Sequence, residues 1–310
     1  MPSFKTLASA ATLGLAAFAA ALPSGSYSPL RSRAIANELA TAAGISDVDI
    51  LQFALTLEFL EAEFYRTGFA KFPDTDFAAL GLTAEDLVAL KQVGATEQTH
   101  VTTLLSAISA QGVKPVQPCT YNFGFTTAAE MVATASVLEA VGISAYLGAA
   151  PLVAAPAILT AAGSILTVEA RHQTLIRTLT KVAAVPNPFD TPLGTRAVFS
   201  LAAPFITACP DGSNLAIKPF PAMTSTTAAS AIVADAQLAV ASDAQGATHC
   251  AFVNGGAPGG AVFVPLTGGN CQVPQILKGD VFVFLASAGP KTGVLTDDIT
   301  VAGPMVVQIS

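Results

Sequence analysis

Two E-x-x-H pairs set inside long apolar stretches constrain this chain more than anything else in it. Glu97 and His100 form one pair, Glu169 and His172 the other. On a helix, a three-residue spacing brings carboxylate and imidazole to one face. The pairs use two of the chain's three histidines, in a sequence that is 52% hydrophobic and only 11% charged. Upstream of each pair a lone glutamate interrupts an apolar run, Glu58 in LTLEFLEAEFY and Glu139 in ASVLEAVGISAY. Seven residues further on stand Tyr65 and Tyr146, which return to nearly the same face at ~3.6 residues per turn. The order E-x6-Y, then E-x-x-H, therefore occurs twice.

Around these motifs, residues 46–181 carry apolar side chains at three- and four-residue spacing, which predicts four helices. The first starts at Ser46, with Asp49 completing a capping-box pattern, and runs to about Phe69; the second starts at Thr83 with Asp86 and ends at Gly112, before Pro115. The third starts at Thr127 with Glu130 and stops near Gly148 and Pro151, and the fourth runs from Pro156 towards the Pro186 and Pro188 cluster. The connection from Gly112 to Thr126 spans about 15 residues at ~3.3 Å each, enough to travel the length of a bundle. Helices three and four, joined by a few residues, must be antiparallel neighbours.

Beyond Pro186 the composition shifts to proline, glycine, serine and threonine around short β-type runs: LAIKPF, CAFV, GGAVFVP, GDVFVFLAS and GPMVVQIS. Val281–Leu285 is apolar throughout, as in a strand covered on both faces. The segment from Thr195 to Thr207 reads as a short helix packed on the bundle. The expected fold class is α+β, an antiparallel four-helix bundle with a long crossover (residues 46–183), a connecting segment (184–213) and a smaller, sandwich-like β-rich domain (214–310).

The first segment has Lys5 near its start, an uncharged run from Thr6 to Ala21, and Ala19 and Ala21 at the −3 and −1 positions of a cleavage site. Residues 1–21 thus read as a secretory signal, with 22–45 as an extension of a mature protein starting near Leu22 and localised outside the cell. Arg31 and Arg33 leave a second cleavage open. Export favours disulfides, and Cys119, Cys209, Cys250 and Cys271 allow three pairings; proximity favours Cys250 with Cys271, leaving Cys119 with Cys209. With a formal charge of −7, nucleic acid is excluded as a partner. The charge-free stretch Ala140–Val168 has the length of a membrane span, but its glycine and prolines, and the glutamates at its borders, favour two buried helices joined by a tight turn, without stable membrane insertion. No late hydrophobic tail of the lipid-anchor kind is expected.

Four carboxylates and two imidazoles converging inside a bundle would be very unfavourable if left ionised and unpaired. Two divalent cations would balance the four negative charges, and mixed oxygen and nitrogen donors suit iron or manganese. Here the sequence resembles the ferritin-like superfamily, and more closely the secreted fungal stress-response and plant desiccation-related proteins with a ferritin-like domain. The resemblance covers about Asp47 to Lys181 and is carried by LEFLEAEFY, PCTYNF, SAYLGAAP and LTVEARH. It implies Glu58, Glu97, His100, Glu139, Glu169 and His172 as ligands of two iron or manganese ions, with some carboxylates bridging, and Tyr65 and Tyr146 as their hydrogen-bond partners.

Two functions follow as expectations. One is an extracellular oxidoreductase in which reduced metal reacts with O2 or peroxide. The other is a metal-free secreted stress or cell-surface scaffold whose β-rich part contacts wall material or another protein. A monomer or small oligomer is expected, since the β-rich appendage would burden a storage shell. Glu61, ~60° around the helix from Glu58, is an alternative or additional ligand, whereas Glu63 faces solvent. Arg171 is either a surface charge or a partner for a ligand carboxylate, His249 is structural or exposed, and Gly142 and Gly163 suggest close helix packing. The glycines at 255–260 and 268–269 read as loops, because they do not follow a strand as a dinucleotide-binding turn would.

Overall fold

The computed structural model describes residues 45–213 and 216–309. The signal segment 1–21, nearly all of the extension, Arg31 and Arg33 lie outside the described residues.

Among the described residues, five helices make the first half: α1 (Asp47–Lys71), α2 (Asp74–Ala79), α3 (Ala84–Ala110), α4 (Ala128–Ala149) and α5 (Pro156–Leu179). Helices α1, α3 and α4 each begin with a complete capping box, from Ser46 with Asp49, Thr83 with Asp86 and Thr127 with Glu130. Helix α5 has no cap of its own; the Asp47 carboxylate of α1 accepts from the backbone N–H groups of Ala154 and Ala155, both at 2.8 Å, and places a negative charge at the positive end of α5. Six-residue α2 was not foreseen, being too short for a periodic signal; it exists to bury Phe77 under the bundle.

Contacts fix the topology. At one end Leu51 and Leu55 of α1 pack with Leu104 and Ile108 of α3 and with Ile158 of α5. At the other end Gly68 of α1 approaches so closely that an added Cβ would lie 2.4 Å from the Met131 side chain of α4. Helix α1 is thus antiparallel to α3 and α4, α5 is antiparallel to α4, and the segment between α3 and α4 crosses the full length of the bundle. Gln52 holds that crossover by accepting from Val116 N (2.8 Å) and donating to Lys114 O (2.9 Å). Within the crossover, β1 (Thr120–Tyr121) pairs antiparallel with β2 (Ile206–Ala208), and the Cys119–Cys209 disulfide closes the same junction.

The stretch from Ala140 to Val168 breaks at residues 150–155 into the antiparallel pair α4 and α5. Ala128–Leu152 has the length and composition of a membrane span, yet 61% of its most apolar window is buried in this fold. The expectation of two buried helices fits α4 but not the first half of α5, which is exposed or half-buried. Gly163 accordingly faces open space and does not serve close packing.

The short helix α6 (Thr195–Ala202) sits where expected and buries Ala197, Val198, Phe199 and Ala202 against the bundle. LAIKPF, expected as a strand, is none among its described residues. It is tied to α6 instead: Arg196 donates to Lys218 O at 2.9 Å, Phe220 N donates to Ser200 Oγ at 2.8 Å, and the Arg196 guanidinium covers the Phe220 ring at 3.8 Å.

Among the described residues, two antiparallel sheets follow. One has the order β6 (Ala261–Pro265), β5 (His249–Val253), β8 (Gly279–Ala286), β9 (Thr300–Ile309), and the other β3 (Thr224–Ser225), β4 (Gln237–Ala241), β7 (Asn270–Gln272). The three strands of the smaller sheet went unpredicted, because runs of two to five residues give little alternation to detect. Strand β8 is covered on both faces, as its apolar run implies. Val281, Val283 and Leu285 pack towards Leu238 and Cys271 of the smaller sheet, while Phe282, Phe284 and Ala286 join the core of the helical bundle. The Cys250–Cys271 disulfide bolts β5 to β7 across the sandwich.

The two disulfides close loops of different length, with sequence separations of 90 for Cys119–Cys209 and 21 for Cys250–Cys271. Chain entropy then predicts that a Cys119→Ser/Cys209→Ser variant loses on the order of 1 kcal/mol more stability than a Cys250→Ser/Cys271→Ser variant. Equilibrium denaturant unfolding of the two variants checks this, and the reverse order would refute it.

Candidate metal centre

Each of the four long helices turns an acidic side chain inward at mid-length. Glu58, Glu97, Glu139 and Glu169 are at most 1% exposed, and His100 and His172 are buried beside them. The structure brings all six predicted side chains together, in two overlapping groups: Glu58, Glu97, His100 and Glu169 in one, and Glu97, Glu139, Glu169 and His172 in the other. Within each group the nearest donor atoms lie within 4.8 Å of one another.

Glu97 and Glu169 belong to both groups, and their individual oxygens show why. His100 Nδ1 faces Glu97 Oε2 (3.0 Å) and Glu169 Oε1 (3.2 Å), while His172 Nδ1 faces Glu97 Oε1 (2.7 Å) and Glu169 Oε2 (3.9 Å). Each carboxylate thus turns one oxygen to each imidazole. Glu58 Oε2 completes the first group at 3.3 Å from His100 Nδ1, and Glu139 Oε2 the second at 3.2 Å from His172 Nδ1. The rings are nearly parallel, with centroids 6.2 Å apart.

The tyrosines are crossed between the halves. Tyr65, on the helix of Glu58, donates its hydroxyl to Glu139 Oε1. Tyr146, on the helix of Glu139, donates to Glu58 Oε1 at 2.6 Å. One oxygen of each glutamate is held by a phenol and the other is left facing the cluster. Burial and the neighbouring glutamates push both phenols well above their ordinary range, so they remain donors.

Thr96 was missed in the sequence, and only tertiary structure could reveal it, since it acts across helices. Its hydroxyl donates to Val93 O at 2.7 Å and lies 2.9 Å from His172 Nε2. With its own hydrogen committed, it accepts from the Nε2–H of His172 and so turns Nδ1 of that ring towards the cluster.

Glu61, set apart as an alternative ligand, is also buried and belongs to neither group. Its counterpart by position, three residues after Glu139, is Gly142, and the missing side chain there makes room. A Cβ on Gly142 would lie 3.1 Å from Glu61 Oε1 and 3.2 Å from Glu169 Oε2. Gly142 is therefore a matter of close approach, but by carboxylates and not by a helix backbone. Glu63 forms a surface ion pair with Arg66 and Arg171 is exposed, so neither reaches the cluster. His249 is half-buried in β5, 2.8 Å from the Thr248 hydroxyl.

Without a cation this interior strains its own charges. Burial raises Glu61 and Glu169 well above the carboxylate range, helped by like charge on their neighbours, and raises Glu58 to about 7. Burial alone would discharge the histidines, but the surrounding glutamates overcome it and lift His100 to about 12 and His172 to about 9. Burial opposes ionisation of Glu97 too, yet the two histidines draw it down to about 2. Even so, Glu58 Oε2, Glu97 Oε1 and both oxygens of Glu169 accept no well-directed hydrogen bond. His172 Nδ1 stands 2.7 Å from Glu97 Oε1 without pointing a proton along that line. These atoms face a shared centre more than they face each other. Such a donor set, carboxylate oxygens with imidazole nitrogens in a closed interior, fits hard to borderline divalent metals once the imidazoles give up their protons.

The folded-state pKa of Glu61 lies above its unfolded value, so its ionisation in the unfolded chain disfavours folding; the penalty is absent below the unfolded pKa and grows as pH rises towards the folded one. Glu61→Gln should therefore stabilise the metal-free protein, more at pH 8 than at pH 5, by about 2–4 °C in melting temperature for each kcal/mol gained. An equal gain at both pH values in thermal melts would exclude charge as the cause.

Residues 46–182 match the ferritin-like domain family (Ferritin_2). Over 178 residues the chain is 28% identical to Protein rds1 of Schizosaccharomyces pombe (strain 972 / ATCC 24843), an alignment covering 57% of this chain and 44% of that relative. The chain thus spans less than half the length of that relative. The helical part is a ferritin-like domain, followed by a C-terminal domain of antiparallel sheets.

Proposed function

We propose that the ferritin-like domain of this protein holds a dinuclear non-haem centre of iron or manganese, and that the protein works outside the cell as an oxidoreductase towards O2 or peroxide. The observation that carries this is the division of Glu97 and Glu169, each with one oxygen for His100 and one for His172. Such carboxylates span two positions 6.2 Å apart at the rings, and each position has one further glutamate of its own. Four carboxylates balance two divalent cations, and Glu61, raised well above the carboxylate range by burial and by Glu169, stands beside them as a fifth buried carboxyl.

When bound, such a pair of ions supplies redox equivalents and open coordination positions for a small oxidant. The chain's own residues do the rest. His100 and His172 offer Nδ1, with Thr96 orienting His172. Tyr65 and Tyr146 hold Glu139 and Glu58 by one oxygen each. Glu61 brings a further buried carboxyl next to Glu169 over Gly142. Burial of every donor keeps bulk water away. Two disulfides are consistent with an extracellular protein, and a role in stress and contacts of the sheet domain with wall material or another protein belong to the same reading.

Purified without chelator, or reconstituted with Fe(II) or Mn(II), the protein should carry about two metal ions per chain by elemental analysis, as its two donor groups imply. Less than one equivalent after reconstitution would leave only a packed scaffold. His172→Ala or Glu97→Ala should lose metal while keeping helical circular dichroism, and Glu63→Ala should change neither.

In the metal-free protein His100 and His172 hold protons at neutral pH, and Glu58, raised to about 7, and Glu169, raised well above the carboxylate range, resist losing theirs; binding an ion displaces protons from this set. Affinity should therefore rise with pH between 6 and 8, by about tenfold per unit for each proton displaced. Calorimetry in buffers of different ionisation enthalpy measures this, and an affinity flat in pH would contradict it.

A further inference from the structure

One end of the bundle is hollow. A cavity of about 210 Å³ lies between α1, α3, α4 and α5, and of its 18 lining residues all but Thr103 and Tyr146 are apolar. Eight of those 18 are alanines, so the space comes from small side chains at positions where a bundle core would carry leucine. The exposed first half of α5 has the same origin, because Ala157, Ala161 and Ala162 cannot fill the gap to α1 and α3.

The inner end of the cavity is directed at the acidic cluster, as each of the four helices shows. Ala54 precedes Glu58 by four residues, Leu104 follows His100 by four, Ile165 precedes Glu169 by four, and Tyr146 follows Glu139 by seven. These spacings place the inner wall one to two turns, at ~5.4 Å each, from the donor atoms and on the same helix faces. Tyr146 belongs to both: it lines the cavity and its hydroxyl donates to Glu58 Oε1 at 2.6 Å. Leu57, Leu104, Ala145 and Ile165 at the inner end are buried, while Thr103, Ala157 and Ala161 at the rim are exposed. The cavity thus runs from exposed rim residues to buried ones that stand one to two helical turns from the cluster, with Tyr146 between the two.

We propose that this cavity is the substrate pocket of the centre, and that it takes a small apolar organic molecule whose inner end lies beside Tyr146. As a substrate pocket it rests on the metal reading above; as a binding site it does not. Apolar walls exclude charged and sugar-like compounds, whose polar groups would find no partners there. Since a protein cavity of ~150 Å³ accepts benzene, this one has room for about eight carbons.

The test uses the full chain with 1-octanol as probe, followed by calorimetry and by the probe's own proton resonances. The metal-free protein should bind one octanol, and Ala145→Leu or Ala162→Leu should weaken binding at least tenfold with helical circular dichroism unchanged. Ala162 is half-exposed, so it tests the pocket even if a change at buried Ala145 disturbs folding. In protein loaded with Mn(II), bound octanol resonances should broaden, and Ala162→Leu should abolish the broadening while leaving the manganese content intact. No octanol binding, or binding indifferent to both substitutions, overturns the pocket. Binding without broadening in manganese-loaded protein overturns its connection to the centre. Octanol binding in a chain that takes up no metal would sink the metal reading alone, and metal uptake without octanol binding would sink the pocket alone.

Discussion

Five glutamates buried in one helical interior set the terms for everything around them. Isolated, each would resist ionisation, and together they resist it more. The fold answers with two imidazoles, two phenols and one threonine hydroxyl, every one aimed from a different helix than the group it serves or from one turn along the same helix. What these groups leave unanswered includes Glu58 Oε2, Glu97 Oε1 and both oxygens of Glu169. The remaining deficit is positive charge, and it is concentrated at a point where four helices meet.

That interior demands a shell stiff enough to keep like charges in place. Capping boxes fix the starts of three helices, and Asp47 ties the start of α5 to that of α1. The sheet domain contributes as well. Phe282 and Phe284 of β8 extend the helical core, and Asp280 on the same strand accepts from the buried Arg177 and from Gln173 of α5 at 2.9 and 2.8 Å. Gln173 adjoins His172, so the outer side of one helix that supplies the cluster is held by the second domain.

Much of this is legible in the sequence. Helix starts, the crossover, the antiparallel closing pair and the six inward donors all follow from periodicity and spacing, because burying a charged group in an alanine-rich helix requires partners at fixed angular positions. Short elements escaped: α2, β3, β4 and β7 are too brief for a period to emerge, and LAIKPF has strand-like composition but is captured by Arg196 and Ser200. Glu61 was visible as a candidate, yet its burial depends on the absent side chain of Gly142, a relation between helices that spacing within one helix does not encode. The pairing of Tyr65 with Glu139, and not with its sequence neighbour Glu58, lay beyond reach for the same reason. The hollow end was invisible too, since alanine at a core position reads as well-packed until its neighbours prove equally small.

Crossing of the two phenols makes the halves mutually dependent. The α1–α3 hairpin carries the anchor for a carboxylate of the α4–α5 hairpin and receives its own anchor in return. Neither hairpin alone would present a fully oriented set of donors; order in both arises at the moment they dock. Any loosening between them is therefore felt on both sides at once, and a centre built this way would respond as a single unit, tightening or slackening as a whole.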